Sequence, residues 1–594
     1  MFILFLCFHS HFSLLVLTVG LTTLMLNSQK LHLIFLTLWL KVSFLFVFTS
    51  AVNAQSSFPN TLYSTAQLPE PSLPDTLPPP DQLLPSPLPA PTSPADLPLS
   101  SEKITVQQFV FQGNTAFSDA ELAQVTASFT GRPITFTELL AARSAVTNYY
   151  IEHGYITSGA LIPPQQLERG IVNIQIIEGE VEEINITGSG SLDPNYVRSR
   201  LRLATKKPLN QNRLLEALQL LQLDPLIETV SAELSLGSRP GESLLNVSFK
   251  TANTFNVEVF FNNSRSPSVG TFEKGLRITE ANLLGKGDSL SAVYSNTEGS
   301  NVVDFIYTLP VNARDGTLSF YFNFTDSKVV EPPFQDLDIE ANSRTYELRY
   351  RQPVILTPAE ELTLGLTLTR RESNTSILGV DFPLSRGADE NGQTRLSIVR
   401  LFQEYINRGP RQVLAARSQL SVGLDQLEST ISQEGPDSEY FAWRTQAQWL
   451  RLVGTNIELL LRADLQFSSE ELVPLEQAGL GGIETVRGYR QDQLLRDSAV
   501  FVSAELRYTI MRTENGKGVL QMAPFVDFGK AWNNNEELGI DSETLLSVGL
   551  GLRWHYQEQI KVRFDWGIPL TDVDSRNRTL QENGFYFSVE IEPF

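Results

Sequence analysis

Cysteine is almost absent from the 594-residue chain: Cys7 is the only one, and it lies in an apolar leader. Everything beyond the leader is therefore without a disulfide framework, a thiol nucleophile or a thiolate metal ligand. Histidine is nearly as scarce, with only His153 and His555 past residue 54. There is no histidine cluster, no Gly-x-Ser-x-Gly elbow and no glycine-rich phosphate loop, so zinc-hydrolase, triad and nucleotide chemistry lack their raw material. His153, at a predicted helix end, reads as a C-terminal polar residue. No catalytic, cofactor-binding or metal-binding residue is expected, and the chain reads as a non-enzyme. Positive charge is also in deficit, at 46 Lys and Arg against 67 Asp and Glu. Residues 1–54 hold only Lys30 and Lys41 among charged side chains, so 44 basic and 67 acidic groups remain beyond them. Such a surface repels nucleic acid, which is excluded as a partner. The length calls for several structural units rather than one enlarged core.

Two apolar runs, Phe2–Leu26 and Leu31–Thr49, fill the leader, and the second leads into Val52-Asn53-Ala54. This pattern predicts a secretory signal peptide over residues 1–54, cleaved after Ala54. A pair of membrane-spanning helices is the alternative. A start at Met25 gives a leader of ordinary size with Lys30 as its positive region. Between Pro59 and Pro98 stand 13 prolines, which denies helix and sheet hydrogen bonding and predicts an extended, semi-rigid linker over 55–102.

Residues 103–180 change character. A strand at Ile104–Phe111, helices at Ser118–Thr130 and Phe136–His153, and strands at Ile156–Ile162 and Gly170–Glu178 follow in the order β-α-α-β-β. Ser118 with Glu121 makes a capping box, while Leu139, Ala142, Val146 and Tyr150 recur at helical spacing. The same order returns over 181–251: strand Val181–Thr187, helices Pro194–Leu203 and Asn210–Leu221, strands Val230–Leu236 and Ser243–Lys250. From residue 252 to 594 helical periodicity gives way to strict alternation. Leu362, Leu364, Leu366 and Leu368 alternate with Thr363, Gly365, Thr367 and Thr369, and Leu318, Phe320, Phe322 and Phe324 do the same against polar neighbours. A soluble sandwich would alternate too. Segments of about ten residues, abundant aromatics and secretion without cysteine favour a transmembrane β-barrel. Phe585 and Phe587 share a face in the last strand, and the chain stops at aromatic Phe594, together a signal for barrel-insertion machinery. A free edge in lipid must close, here on Phe255–Asn262.

A long segment, Ser468–Ser498, predicted to be a loop without secondary structure of its own, holds Val486-Arg487-Gly488-Tyr489 among glycines. Forty residues on, Phe525-Val526-Asp527-Phe528-Gly529 places Asp527 on the lumen side of a strand. A carboxylate on an inner wall is either a hydrated lumen charge or the partner of Arg487, whose loop then folds back into the barrel.

These motifs, with Tyr150, Gly154-Tyr155, Ala160-Leu161-Ile162-Pro163 and Glu178-Gly179 upstream, resemble the ShlB/FhaC/HecB family of haemolysin secretion and activation proteins, the transporter half of two-partner secretion. The resemblance covers 103–594. It implies two α+β POTRA domains followed by a 16-stranded outer-membrane barrel, so that each strand with its turn takes about 21 residues. Implied functional residues are Val486, Arg487, Gly488 and Tyr489 in the lumen loop and Phe525, Asp527 and Gly529 on the wall. The implied activity is capture of an unfolded exoprotein in the periplasm and its secretion through the barrel. The implied partners are that client, outer-membrane lipid and the barrel-assembly machinery. Some family members begin with a helix that plugs the pore, and no amphipathic helix stands between Ala54 and the linker. A BamA-like insertion factor and a passive porin or receptor are the alternative functions; the first usually carries more POTRA repeats, and the second needs neither modules nor the Arg487 loop.

Overall fold

The computed structural model describes residues 68–73, 77–84, 103–166, 169–432, 435–534, 542–557, 559–573 and 578–593. The leader, the Ala54 cleavage position, Met25, most of the proline-rich stretch and Phe594 lie outside them.

In the alternating region, chain parity determines which way each side chain points. Along the strand Glu360–Ile377, Leu364, Leu366 and Leu368 are 37–46% exposed while Thr363, Thr367 and Thr369 are 0–4% exposed. The apolar face points out and the hydroxyl face in, the reverse of a soluble sandwich. Such a surface is stable only with hydrocarbon as its outer solvent. Sixteen strands, from Phe255–Asn262 to Phe585–Ile591, close into one barrel. Each is antiparallel to its neighbours, as at Ser503↔Asp527 and Asp565↔Tyr586. Closure is made by the predicted pair of end strands, through Ser588↔Asn262 to Ile591↔Val259. That leaves no sheet edge facing lipid.

Two small modules precede the barrel. In the first, Gln108–Gln112 runs parallel to Ile171–Ile177, which pairs antiparallel with Gly159–Leu161. In the second, Glu180–Ser189, Glu242–Thr251 and Ile227–Leu236 repeat that arrangement. Two helices cover each sheet. Ser118 and Thr135 cap Asp119–Thr126 and Phe136–Glu152 with complete capping boxes, which satisfies amide groups that a helix start otherwise leaves unpaired. Leu139, Ala142, Val146 and Tyr150 all enter the core. The second module's helices, Pro194–Ala204 and Gln211–Gln222, start at Asp193 and Asn210, whose side chains accept from the first-turn amides. The modules are joined tightly: Gln211 N–H donates to Gly154 O at 2.8 Å and Asn210 Nδ2 to His153 O at 3.0 Å.

Several expectations are corrected in detail. The strand expected over Ile104–Phe111 breaks into Lys103–Thr105 and Gln108–Gln112. Val106 turns its side chain into the core, and its carbonyl accepts from Gly131 N–H. Ile156–Ile162 yields ordered pairing only over Gly159–Leu161. The proline-rich stretch is not wholly extended, since Pro80–Leu83 forms one helical turn. Pro80 stands in the first turn, where a missing N–H costs nothing. Among the described residues no helix is long and apolar enough to cross a membrane.

Candidate functional site

The long segment 468–498 does carry structure of its own, contrary to expectation. Ala478–Leu480 pairs with Leu494–Arg496 as a short hairpin, which stiffens its base and sends the intervening residues into the lumen. At the tip Arg487 is fully buried, an environment that an arginine tolerates only with its charge and donors matched. Asp527 supplies most of the match. Its Oδ2 accepts from Arg487 Nε at 2.7 Å and from the Arg487 backbone N–H at 3.1 Å, and its Oδ1 accepts from Nη2 at 2.9 Å. This is the planar fork-to-fork geometry that arginine offers and lysine does not. One carboxylate thus grips both side chain and backbone.

Neighbouring strands complete the socket. Arg487 Nη1 donates to Glu505 Oε2 at 2.6 Å and lies 3.6 Å from Asp565 Oδ1. Ser503 Oγ donates to Asp527 Oδ1 at 2.6 Å, orienting it. The guanidinium carbon stacks 3.3 Å from the Phe525 ring centre, a cation–π contact in a desolvated setting. Phe525 in turn lies over Gly549, where any Cβ would sit 2.3 Å from the ring. Three carboxylates face Arg487, and Arg507 and Arg553 contact Glu505 at 2.8 and 3.1 Å, while Arg563 contacts Asp565 at 2.7 Å. The socket is a network of alternating charge.

The rest of both motifs fits around this lock. Gly488 adopts φ +101°, a conformation nearly closed to other residues. It passes so near Gly567 that a Cβ on Gly567 would lie 2.5 Å from Gly488 N. Tyr586 OH accepts from Gly488 N–H at 2.8 Å and donates to Tyr489 O at 2.6 Å. Tyr489 OH donates to Leu546 O at 2.8 Å. Val486 packs against Gly529, whose missing side chain makes the room. The structure therefore brings together Val486, Arg487, Gly488, Tyr489, Phe525, Asp527 and Gly529. Phe585 and Phe587 stand apart on the outer face, stacked on Trp566 and tilted against Phe272.

Sequence reasoning missed Ser503, Glu505, Asp565 and Tyr586. Alternation with Val502, Ala504 and Leu506 marks Ser503 and Glu505 as lumen-facing, a signal that was available. It also missed a second pin, on another stretch of the wall. Glu476 Oε2 accepts from Arg400 Nη2 at 2.8 Å and from Tyr440 OH at 2.9 Å, and its Oε1 accepts from Arg371 Nη1 at 2.9 Å. The inserted segment is thus held at two separate places on the lumen wall.

A third obstruction comes from the N-terminal linker. Leu68 O accepts from Gln448 Nε2 at 2.7 Å, and Glu70 is ion-paired with Arg507, both on the lumen wall. Leu83 and Leu84, at 1% and 3% exposure, then join the second module's core beside Gln211–Gln222 and Ile227–Leu236.

In the first module, Tyr150 and Glu178 meet. The Glu178 carboxylate is 5% exposed and accepts from Thr115 N–H at 2.6 Å, Ala116 N–H at 2.8 Å and Tyr150 OH at 3.0 Å, as well as from the Thr115 hydroxyl. Burial pushes its pKa up, but the hydrogen bonds outweigh burial and hold the carboxyl below its ordinary range.

A closed barrel with a locked lumen hairpin, preceded by β-α-α-β-β modules, defines an outer-membrane β-barrel transporter whose modules stand in the periplasm. Residues 241–554 match the haemolysin secretion/activation protein family ShlB/FhaC/HecB, and 104–179 match the ShlB-type POTRA domain. The chain belongs to that family, the outer-membrane transporters of two-partner secretion. It is 22% identical over 476 residues to the heme/hemopexin transporter protein HuxB of Haemophilus influenzae, covering 76% of this chain and 80% of that one. It is 23% identical over 461 residues to the outer membrane transporter CdiB of Dickeya dadantii, covering 75% and 79%. The solved structure of CdiB from Escherichia coli superposes with a TM-score of 0.64 at 19% identity, over 85% of this chain and 93% of that one, and shares the fold.

Proposed function

We propose that this chain captures an extended segment of one unfolded exoprotein in the periplasm and passes it through the barrel lumen to fold outside. The observation that carries the reading is the doubly pinned hairpin: Arg487 on Asp527 at one place on the wall and Glu476 on Arg400 at another. A passive pore has no use for so costly a buried obstruction, whereas a translocator needs a closed resting state. The two modules among the described residues favour secretion over barrel insertion. In this reading the domains run 103–180 and 181–251 for the modules and 252–594 for the barrel. Phe585, Phe587 and Phe594 serve insertion into the lipid bilayer by the barrel-assembly machinery, and Ala54 ends the signal peptide.

The linker gives the resting state a route to release. Leu83 and Leu84 fill an apolar groove on the second module, where a client segment would make its own helix-groove and sheet contacts. A client that takes this groove displaces the linker and, through Glu70, loosens its hold on Arg507 in the lumen. Deleting the chain should remove one large β-rich protein from the culture medium and leave the outer-membrane profile otherwise intact. An unchanged medium, or a general loss of outer-membrane barrels, contradicts the proposal.

A further inference from the structure

The second module docks on the barrel's periplasmic turns, and the docking leaves a gap. Arg200 Nε donates to Asp315 Oδ1 at 2.9 Å, and its guanidinium stacks 3.4 Å over the Tyr196 ring. Beside this contact lies a cavity of about 300 Å³, between the helices Pro194–Ala204 and Gln211–Gln222 and the turns around 313–315 and 353–356. That is the lower end of the range for small-ligand sites. It holds a headgroup but not a whole lipid.

Two of its charges are unspent. The Arg314 side chain, on the turn, and the Glu216 side chain, on the helix, both line the cavity. Neither has an ion pair or a side-chain hydrogen bond among the described residues, and they are not paired with each other. Elsewhere in the cavity the charges are committed: Arg200 is bound to Asp315, and Arg213 donates to Ala204 O and Pro208 O at 2.8 Å each. Burial pushes the Glu216 carboxyl above its ordinary range, as expected for an anion still awaiting a cation.

The apolar lining points at the membrane. Val354 falls at a β-bulge, skipped in the register between Pro353 and Ile355, and is 54% exposed. A bulge re-aims a side chain, and here it sets valine at the cavity with Leu203 and Leu220. The adjoining strand ends show Leu318 and Tyr350, 37% and 40% exposed on the lipid face. The cavity therefore stands at the level of the periplasmic leaflet.

We propose that this cavity seats the headgroup of one phosphatidylethanolamine molecule from that leaflet, its phosphate on Arg314 and its ammonium on Glu216, with the first acyl methylenes on Val354. A separated cation and anion complement a zwitterion. A purely anionic headgroup satisfies Arg314 but leaves Glu216 facing negative charge. A choline headgroup has no N–H to donate to the carboxylate. The bound lipid would wedge the second module against the barrel, adding to the Arg200–Asp315 contact.

The test uses the full chain reconstituted in nanodiscs of equal parts phosphatidylethanolamine, phosphatidylcholine and phosphatidylglycerol, then moved into mild detergent for native mass spectrometry. One phosphatidylethanolamine should stay bound, well above the other two. Arg314→Glu and Glu216→Lys should each cut its retention about tenfold, the loss expected for one charge-assisted contact. Arg314→Gln and Glu216→Gln, milder changes, should lower it in the same direction. Barrel folding is followed separately by heat-dependent gel mobility, so a misfolded variant is recognised and its milder counterpart used. Equal retention of the three lipids, or variants that keep phosphatidylethanolamine at the wild-type level, would overturn the assignment.

Discussion

Replacing Glu178 by glutamine should loosen the first module, and the size of the effect follows from its four donors. Thr115 N–H, the Thr115 hydroxyl, Ala116 N–H and Tyr150 OH all point at one buried carboxylate. An amide keeps one acceptor oxygen and turns an NH₂ group toward donors. At least one of them is then buried unpaired, and the charge assistance of the others is lost, which costs about 3 kcal/mol. Tyr150→Phe removes a single donor and leaves the carboxylate served by three, at about 1.5 kcal/mol. The pH dependence carries a definite sign. The folded-state pKa of Glu178 lies below its unfolded value, so its stabilisation is complete above the unfolded carboxylate range and is lost as pH falls through the folded value. Hydrogen exchange of the full chain in detergent, followed on peptides from 136–152, measures this directly. Protection should hold steady above the ordinary carboxylate range, drop as pH falls below it in the wild type, and change less in Glu178→Gln. A glutamine variant as protected as the wild type at neutral pH, or wild-type protection that rises in acid, would refute the reasoning.

Three further outcomes follow from the lumen and the linker. Gly567→Ala places a Cβ 2.5 Å from the backbone nitrogen of Gly488, a clash that the hairpin can relieve only by lifting off the wall. About 1–3 kcal/mol of strain should appear as reduced secretion with a normally inserted barrel, checked by exoprotein blot and heat-dependent mobility. Glu70→Arg sets a cation against Arg507 and should raise single-pore conductance in planar bilayers; an unaltered conductance speaks against the linker as an obstruction. Leu83→Asp with Leu84→Asp should free the second module's groove and tighten client binding about tenfold by calorimetry, since burial of even one leucine is worth more than that.

Much of the architecture was legible because β-alternation is local. The parity of Leu364 and Thr363 is set by neighbours in the chain, as are the Ser118 and Thr135 caps. The Arg487–Asp527 pair was also reachable, since each residue sits in a motif whose chemistry requires a partner. What surrounds them was not. Parity places Glu505 and Asp565 in the lumen but does not give their height on the wall, which depends on the stagger between distant strands. Glu476 gave no signal at all, being one acidic residue in a loop, and its partners Arg371 and Arg400 come from strands 105 and 76 residues upstream. The linker misled for another reason: proline content governs backbone hydrogen bonding and says nothing of where Leu83 packs.

The central claim is that the hairpin lock gives a translocator the closed resting state from which transport starts, and Arg487→Glu tests it most directly. The substitution sets a fourth carboxylate against Glu505, Asp527 and Asp565 in a fully buried socket, leaving charge without compensation at a cost of about 3–5 kcal/mol. With the chain present in the outer membrane and its barrel folded, the client should be missing from the medium. Wild-type levels of client secreted by Arg487→Glu would contradict the account.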